Sequence, residues 1–389
     1  MDDLGIRDRI QVALEDSQFD ALVLTGLDNL RYAIGAELPF SYGNSDPRLI
    51  VIWSKTGSTT CLCTSRWEST IRQLSWIQQL EPCSECSSAD VVAGEAARIL
   101  SDSVGEGAQI GVDTAEGSHM LLAELEYRLS AMELKECDLW LQRLRMVKTS
   151  QERALLEEIA SRVDHGILGA VHHVCTRTPM SEKRLAEEIR VHCLERGTDV
   201  AGYEGFSQAV SGPHATRFWP LAPKYGTGWD RLPKEGELVR VEMRAMLRGY
   251  WCDAARMVTM GPPDKDQRRV YEGLVSLRKT ALQHIAPGRR CSEVFEVVTE
   301  EARAQGVELA NKLGVGHGVG VSPYEAPFLT KENDSELAAD MVLVFDPVIY
   351  GPHGEIVRSK DTIVVTNSGC RVVGWYKNWD EPYVTAHTF

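Results

Sequence analysis

The chain has 389 residues, 43% hydrophobic and 25% charged, with a formal net charge of −14. That length suits two soluble domains with full cores, and the acidic balance excludes the basic footprint that non-specific nucleic-acid binding requires. No apolar run reaches the roughly eighteen residues of a membrane span, and the acidic, amphipathic start MDDLGIRDRI reads as neither a signal peptide nor an anchor. Ten cysteines without a secretory signal point to free thiols in a reducing, cytoplasmic compartment. Cys83-Ser-Glu-Cys86 is a CxxC pair, but no second pair stands at zinc-ligand spacing, so no structural zinc is expected.

In chain order, helical spacing over 3–16 precedes a short buried strand at 21–26 and a helical turn ending at Gly35. Two strands, 48–54 and 58–65, flank a turn at Gly57. Helical patterns follow at 66–77 and 89–103, then a strand at 108–113 and a helix at 119–130. This alternation describes an α/β domain, assigned to 1–145, with no phosphate-binding glycine loop and no nucleophile. It reads as a scaffold or dimerisation domain.

A second domain, 146–389, opens at RMVKTSQE, where Thr149 and Glu152 have capping-box spacing. Helices are expected over 150–174 and 181–196, then a strand at 206–212 ending in Gly212-Pro213-His214. The long loop behind it carries Phe218, Trp219, Tyr225 and Trp229. Loops of that length are usually functional or disordered, and the aromatics favour closure over a substrate. The run 237–260, ELVRVEMRAMLRGYWCDAARMVTM, reads as two strands joined at Arg248-Gly249, each with one acid in an apolar interior. Glu242 and Asp253 would then share one end of a sheet, which is costly unless something cationic lies between them. His317, Asp346 and Lys360 are the later residues able to complete that centre. Helices at 264–285 and 292–305 lead into the closing strands.

Several of these motifs in order resemble the pita-bread superfamily of creatinase, aminopeptidase P and methionine aminopeptidase. They are RMVKTSQE, the acid-bearing hairpin ending Asp253-Ala-Ala-Arg256, Gly316-His317-Gly318-Val319-Gly320, Glu325-Ala-Pro327, MVLVFDP and VRSKDTIVVT. The resemblance implies a creatinase-type N-terminal α/β domain followed by a pita-bread α+β domain with a curved antiparallel sheet. Peptidase members hold two divalent metals on Asp, Asp, His, Glu and Glu. At those positions this chain has Glu242, Asp253, His317, Asp346 and Lys360, and Tyr324 where a histidine usually precedes Glu-x-Pro.

A lysine ammonium repels a divalent ion, so the expectation is a metal-independent enzyme with no cofactor. It would act on a small amino-acid-like molecule, most simply by creatinase-like C–N hydrolysis. The resemblance makes His214 the acid/base and Glu242, Asp253, Asp346 and Lys360 the polar floor, with His317 and Tyr324 as donors. Arg256 is counted with the aromatic loop among substrate-binding residues. One alternative is a metal-dependent Xaa-Pro aminopeptidase holding manganese, cobalt, zinc or iron on Glu242, Asp253, His317 and Asp346. The others are lyase or cyclase chemistry on the same site, or a non-catalytic binding module. The relatives also imply a homodimer, with neither nucleic acid nor membrane as partner.

Overall fold

The structure is a computed structural model that describes residues 4–35, 49–83, 88–115, 119–177, 180–198, 205–217, 229–375 and 379–384. The chain divides into two compact units, Met1–Arg145 and Met146–Phe389. Among the described residues, no helix is long and apolar enough to cross a membrane. Cys61, Cys63, Cys83, Cys137, Cys193, Cys252, Cys291 and Cys370 are free thiols.

The first unit is a six-stranded mixed sheet. Its elements are α1 (Ile6–Glu15), β1 (Ala21–Leu24), α2 (Leu27–Ile34), β2 (Ile50–Ser54), β3 (Thr59–Thr64), α3 (Glu68–Leu74), β4 (Gln79–Cys83), α4 (Ala89–Ser103), β5 (Gln109–Val112), α5 (His119–Arg128), β6 (Glu133–Glu136) and α6 (Asp138–Met146). The strand order is β4-β3-β2-β1-β5-β6. Central β1 reads ALVL and is buried throughout, as a strand covered on both faces must be. Two edge strands escape the sequence reading for a physical reason. β4 contains Pro82 and β6 is Glu-Leu-Lys-Glu, both half-exposed compositions suited to an edge. Asp113 at the end of β5 is buried, and its carboxylate accepts from the Thr25 and Gly26 amides, the Thr25 hydroxyl and Asn29. That set ties the β1–α2 turn to β5.

The second unit opens with α7 (Ser150–Arg177). Its start is the reciprocal cap that the sequence indicates: the Glu152 amide donates to Thr149 Oγ1 at 3.0 Å, and the Thr149 amide to Glu152 Oε2 at 2.7 Å. Then come α8 (Glu182–Glu195), β7 (Phe206–Ser211) and a single 3₁₀ turn, Gly212–His214. The hairpin follows as β8 (Leu238–Leu247) and β9 (Tyr250–Thr259). Its two-residue turn, Arg248-Gly249, has φ of 50° and 83°, the left-handed pair that a twisted hairpin demands. After α9 (Lys265–His284) and α10 (Cys291–Gln305) come β10 (Gly316–Gly318), β11 (Glu325–Phe328), β12 (Val342–Phe345), β13 (Val348–Tyr350), β14 (Ile356–Arg358), β15 (Asp361–Thr366), β16 (Gly369–Val372) and β17 (Tyr383–Val384).

Two larger sheets result, in the orders β17-β9-β8-β7 and β11-β10-β12-β15-β16. Backbone bonds link them: the Trp251 amide of β9 donates to the Gly320 carbonyl just beyond β10 at 2.8 Å, and the Lys360 amide just before β15 donates to the Ala255 carbonyl at 3.1 Å, in the bridge Ala255↔Lys360. The core that α9 and α10 press onto this unit contains Leu274, Leu277, Val294, Phe295, Leu343 and Phe345. Gly318 permits a close approach of β10 to β11. A Cβ there would meet the carbonyls of Ala326 and Glu325, the latter 2.8 Å away, and no flexible side chain could yield. Gly318→Ala is expected to cost about 1–3 kcal/mol, read as a lowered urea midpoint at unchanged m-value.

Candidate functional site

Strand alternation assembles the centre. On β8, Arg240, Glu242 and Arg244 stand at every second position and therefore share a face. In the β8–β9 register, Arg244 lies opposite Asp253 and Glu242 opposite Ala255. Because Ala255 is also the partner of Lys360, the inter-sheet bridge delivers the Lys360 side chain between the two acids. Lys360 Nζ donates to both Asp253 oxygens at 2.8 Å and lies 3.5 Å from Glu242 Oε2. Two residues earlier, at the end of β14, Arg358 spans the next pair. It donates through Nε to Asp346 at 2.6 Å and through Nη1 to Glu242 at 3.0 Å. Arg240 Nε stands 2.8 Å from Glu242, and Arg244 Nη2 donates to Asp253 at 2.8 Å.

All seven side chains are buried, so three carboxylates meet four cations with one positive charge in excess. Burial alone would push these carboxyls up. Beside Asp253 the Lys360 ammonium and the Arg244 guanidinium overcome that and hold it well below the usual carboxylate range. Burial acts likewise on Glu242 and is outweighed by Arg358, Arg240 and Lys360; at Asp346 it is outweighed by Arg358 and Lys360. A further buried pair flanks the cluster, Lys148 Nζ to Glu325 Oε1 at 2.5 Å.

His317 lies under Tyr324, ring centroids 4.2 Å apart, and its Nδ1 is 2.9 Å from the Gly318 carbonyl. Burial pushes its imidazole down to about 4, so the ring is neutral near pH 7. Tyr324, partly exposed, also carries the Arg244 guanidinium over its face, 4.6 Å from the centroid.

The second part of the site is the 3₁₀ turn after β7. His214 Nδ1 is 2.8 Å from Glu182 Oε2, and the imidazole stacks on Trp229 at 3.9 Å. Glu182 is fully buried and also accepts from the Ser211 amide and hydroxyl at 2.8 and 2.7 Å. The turn is moored to the charge cluster. The Ile356 amide donates to the Ala215 carbonyl at 2.8 Å, and Arg240 Nη2 to the Arg217 carbonyl at 3.2 Å.

Of the residues the sequence singled out, Glu242, Asp253, Asp346 and Lys360 form one cluster. His317 and Tyr324 flank it, and His214 and Trp229 form a separate stacked pair. Arg256 does not join them. Three positions beyond Asp253 on β9, it faces the opposite side of the strand, against Asp164 at 3.0 Å and Asp361 at 3.4 Å, and donates to the Lys360 carbonyl. Phe218, Trp219, Tyr225 and Cys86 lie outside the described residues. Sequence reasoning missed Arg240, Arg244, Arg358, Lys148 and Glu182. The first three were visible in principle, because Arg-Val-Glu-Met-Arg and Arg-Ser-Lys put charges at strand period on one face.

Lys360→Met leaves Asp253 and Glu242 with one cation fewer in a dry site, and a loss of about 3–5 kcal/mol is expected by urea titration. The depressed carboxyls also set an acid limit. Their contribution is complete above the ordinary carboxylate range, about 4, and is lost as pH falls toward their lower folded values. The urea midpoint of the wild type is therefore expected to fall more steeply below pH 4 than that of Asp253→Asn.

Comparison with known proteins places both units. The signature of the creatinase/prolidase N-terminal domain matches residues 7–147, and that of metallopeptidase family M24 matches residues 154–367. An uncharacterized peptidase of Bacillus subtilis (strain 168) is 28% identical over 234 residues, covering 60% of this chain and 63% of its own length. The Xaa-Pro dipeptidase of Pyrococcus furiosus is 24% identical over 254 residues, covering 65% of this chain and 70% of its own. Among solved structures, the X-Pro aminopeptidase of Thermotoga maritima superposes with a TM-score of 0.80 at 19% identity, covering 97% of this chain and 99% of that one. The N-terminal domain of the FACT complex subunit SPT16 from chickpea reaches 0.71 at 15% identity, covering 96% and 100%. These likenesses confirm the two-domain pita-bread architecture. They correct the expectation that no cofactor belongs here: the matching family is one of metallopeptidases, with Xaa-Pro dipeptidases among the relatives, and this supports the divalent-ion alternative. By its creatinase/prolidase N-terminal domain and its catalytic-domain signature, this chain belongs to the metallopeptidase family M24.

Proposed function

We propose that the chain is a hydrolase of amide-type C–N bonds in small amino-acid-like or Xaa-Pro-like substrates, with His214 as acid/base. The observation that carries this reading is the Glu182–His214 pair. A buried carboxylate pinned by Ser211 accepts from His214 Nδ1, which fixes the tautomer and leaves Nε2 as the proton acceptor of the neutral ring. Trp229 holds the ring plane from one side. The substrate class is supported by the Xaa-Pro dipeptidases among the relatives.

The side chains at the family's metal positions were tested against a divalent ion. Both Asp253 oxygens receive Lys360, Asp346 is held by Arg358, and Glu242 lies among Arg240, Arg358 and Lys360. Among the described residues, His317 Nε2 and Glu242 Oε1 make no hydrogen bond, and Glu242 Oε1 already stands 2.8 Å from the Arg240 guanidinium. A hard cation needs several free oxygens, so the donor set does not fit a divalent ion in this arrangement.

The chain's own residues account for proton movement and binding. His214 Nε2 takes a proton from an attacking water, whose oxygen bonds to the substrate's carbonyl carbon. When the C–N bond breaks, the same nitrogen returns that proton to the leaving amine. Glu182 stabilises the imidazolium in between and remains ionised.

His214→Asn is expected to lower kcat by about a hundredfold or more without a change in melting temperature, and Glu182→Gln by about tenfold or more. Turnover is followed as amine release from a panel of Xaa-Pro dipeptides, N-acyl amino acids and guanidino acids. Near-full activity of His214→Asn on a turned-over substrate would rule out the acid/base role. Metal analysis of the purified protein, before and after chelator, accompanies the assay.

A further inference from the structure

Among the buried side-chain atoms at the charge cluster that make no hydrogen bond among the described residues are Arg244 Nε and His317 Nε2. Another nitrogen of each side chain is engaged, Arg244 Nη2 with Asp253 and His317 Nδ1 with the Gly318 carbonyl. Leaving a buried polar atom unpaired is costly, so two packed on one ring need a reason. They are chemically complementary. Arg244 Nε carries a hydrogen and requires an acceptor. A carbonyl only accepts, so the hydrogen on His317 sits on Nδ1, and Nε2 of the neutral ring presents a lone pair that requires a donor.

Both side chains pack on one ring. Arg244 lies over one part of Tyr324 at 4.6 Å and His317 against it at 4.2 Å, while Tyr324 itself reaches solvent. The side chains of the donor and the acceptor thus both lie against a ring that itself reaches solvent. That cluster carries one positive charge in excess, which favours an anionic visitor.

We infer that Arg244 and His317 form a recognition pair for a small zwitterion, Arg244 Nε–H donating to its carboxylate and His317 Nε2 accepting from its amine, amide or guanidine N–H. This deepens the proposed function by naming the substrate's polar ends, and it rests on that reading only for the site being a substrate site. Tyr324 would supply the surface against which the bound molecule lies.

The test uses the full chain carrying His214→Asn, so that binding is read without turnover. Glycine, L-proline and creatine are titrated calorimetrically, with acetate and ethylammonium as molecules bearing one polar end each. At least one zwitterion is expected to bind about tenfold tighter than either half-molecule. Arg244→Lys keeps the charge that Asp253 needs but has no Nε–H, and His317→Phe keeps a ring against Tyr324 but has no lone pair. Each is expected to weaken that zwitterion about tenfold or more, with a melting temperature near that of the parent. No zwitterion binding tighter than acetate and ethylammonium overturns the inference, and this arm needs neither variant to fold. Binding unchanged in both folded variants overturns it as well. Zwitterion binding that persists while His214 proves dispensable for turnover would overturn the acid/base assignment alone.

Discussion

The ion pair between Lys360 and Asp253 is the constraint on which the rest of this site depends. An ammonium placed between two carboxylates at diagonal positions of a buried hairpin removes the repulsion that would otherwise protonate one of them. Such a pair is weak evidence for stability in itself, because desolvating both charges offsets much of their attraction. Its strength lies in specification. Lys360 reaches Asp253 only if its amide also pairs with Ala255, so one residue fixes both a backbone junction of the two sheets and the charge state of the centre. Arg358, two residues earlier, balances the charges of Asp346 and Glu242 through its side chain.

Most of the fold was legible from the chain alone because its signals are local. The hairpin around Arg248-Gly249, the cap at Thr149 and Glu152 and the buried run at Ala21–Leu24 each follow from period or turn chemistry. Edge strands were not, since Glu133–Glu136 has no apolar face to announce it. The acids and Lys360 could be picked out because charge in an apolar strand is conspicuous. The balancing arginines were harder to see. Arg240 and Arg244 look like the solvent face of an amphipathic strand until the register shows that this face is interior. Glu182 could not be connected with His214 at all, because only the fold brings the start of a helix to a turn thirty-two residues later.

Arg256 shows the limit of carrying roles along a motif. It follows Asp253 closely in sequence, but an odd offset on a strand reverses the face, and the guanidinium supports Lys360 from behind. The same parity rule places Arg240, Glu242 and Arg244 together. Family membership and local chemistry therefore answer different questions here. The first gives the scaffold and its metallopeptidase family, and the second gives the charges that this chain carries at the family's metal positions.

The separation of the cluster's members along the chain bears on how the domain is built. Lys360 and Asp253 are 107 residues apart, and Arg358 and Glu242 are 116 apart. The hairpin is a local structure that closes early, whereas the strands bearing Arg358 and Lys360 must await loop closure across α9 and α10. Until they dock, Glu242 and Asp253 have only Arg240 and Arg244 for company and keep their water. Dehydration of the centre is thereby coupled to arrival of the last strands. A chain that mispaired its sheets by one residue would bury those acids without their cations, so the charge cluster acts as a register lock during assembly.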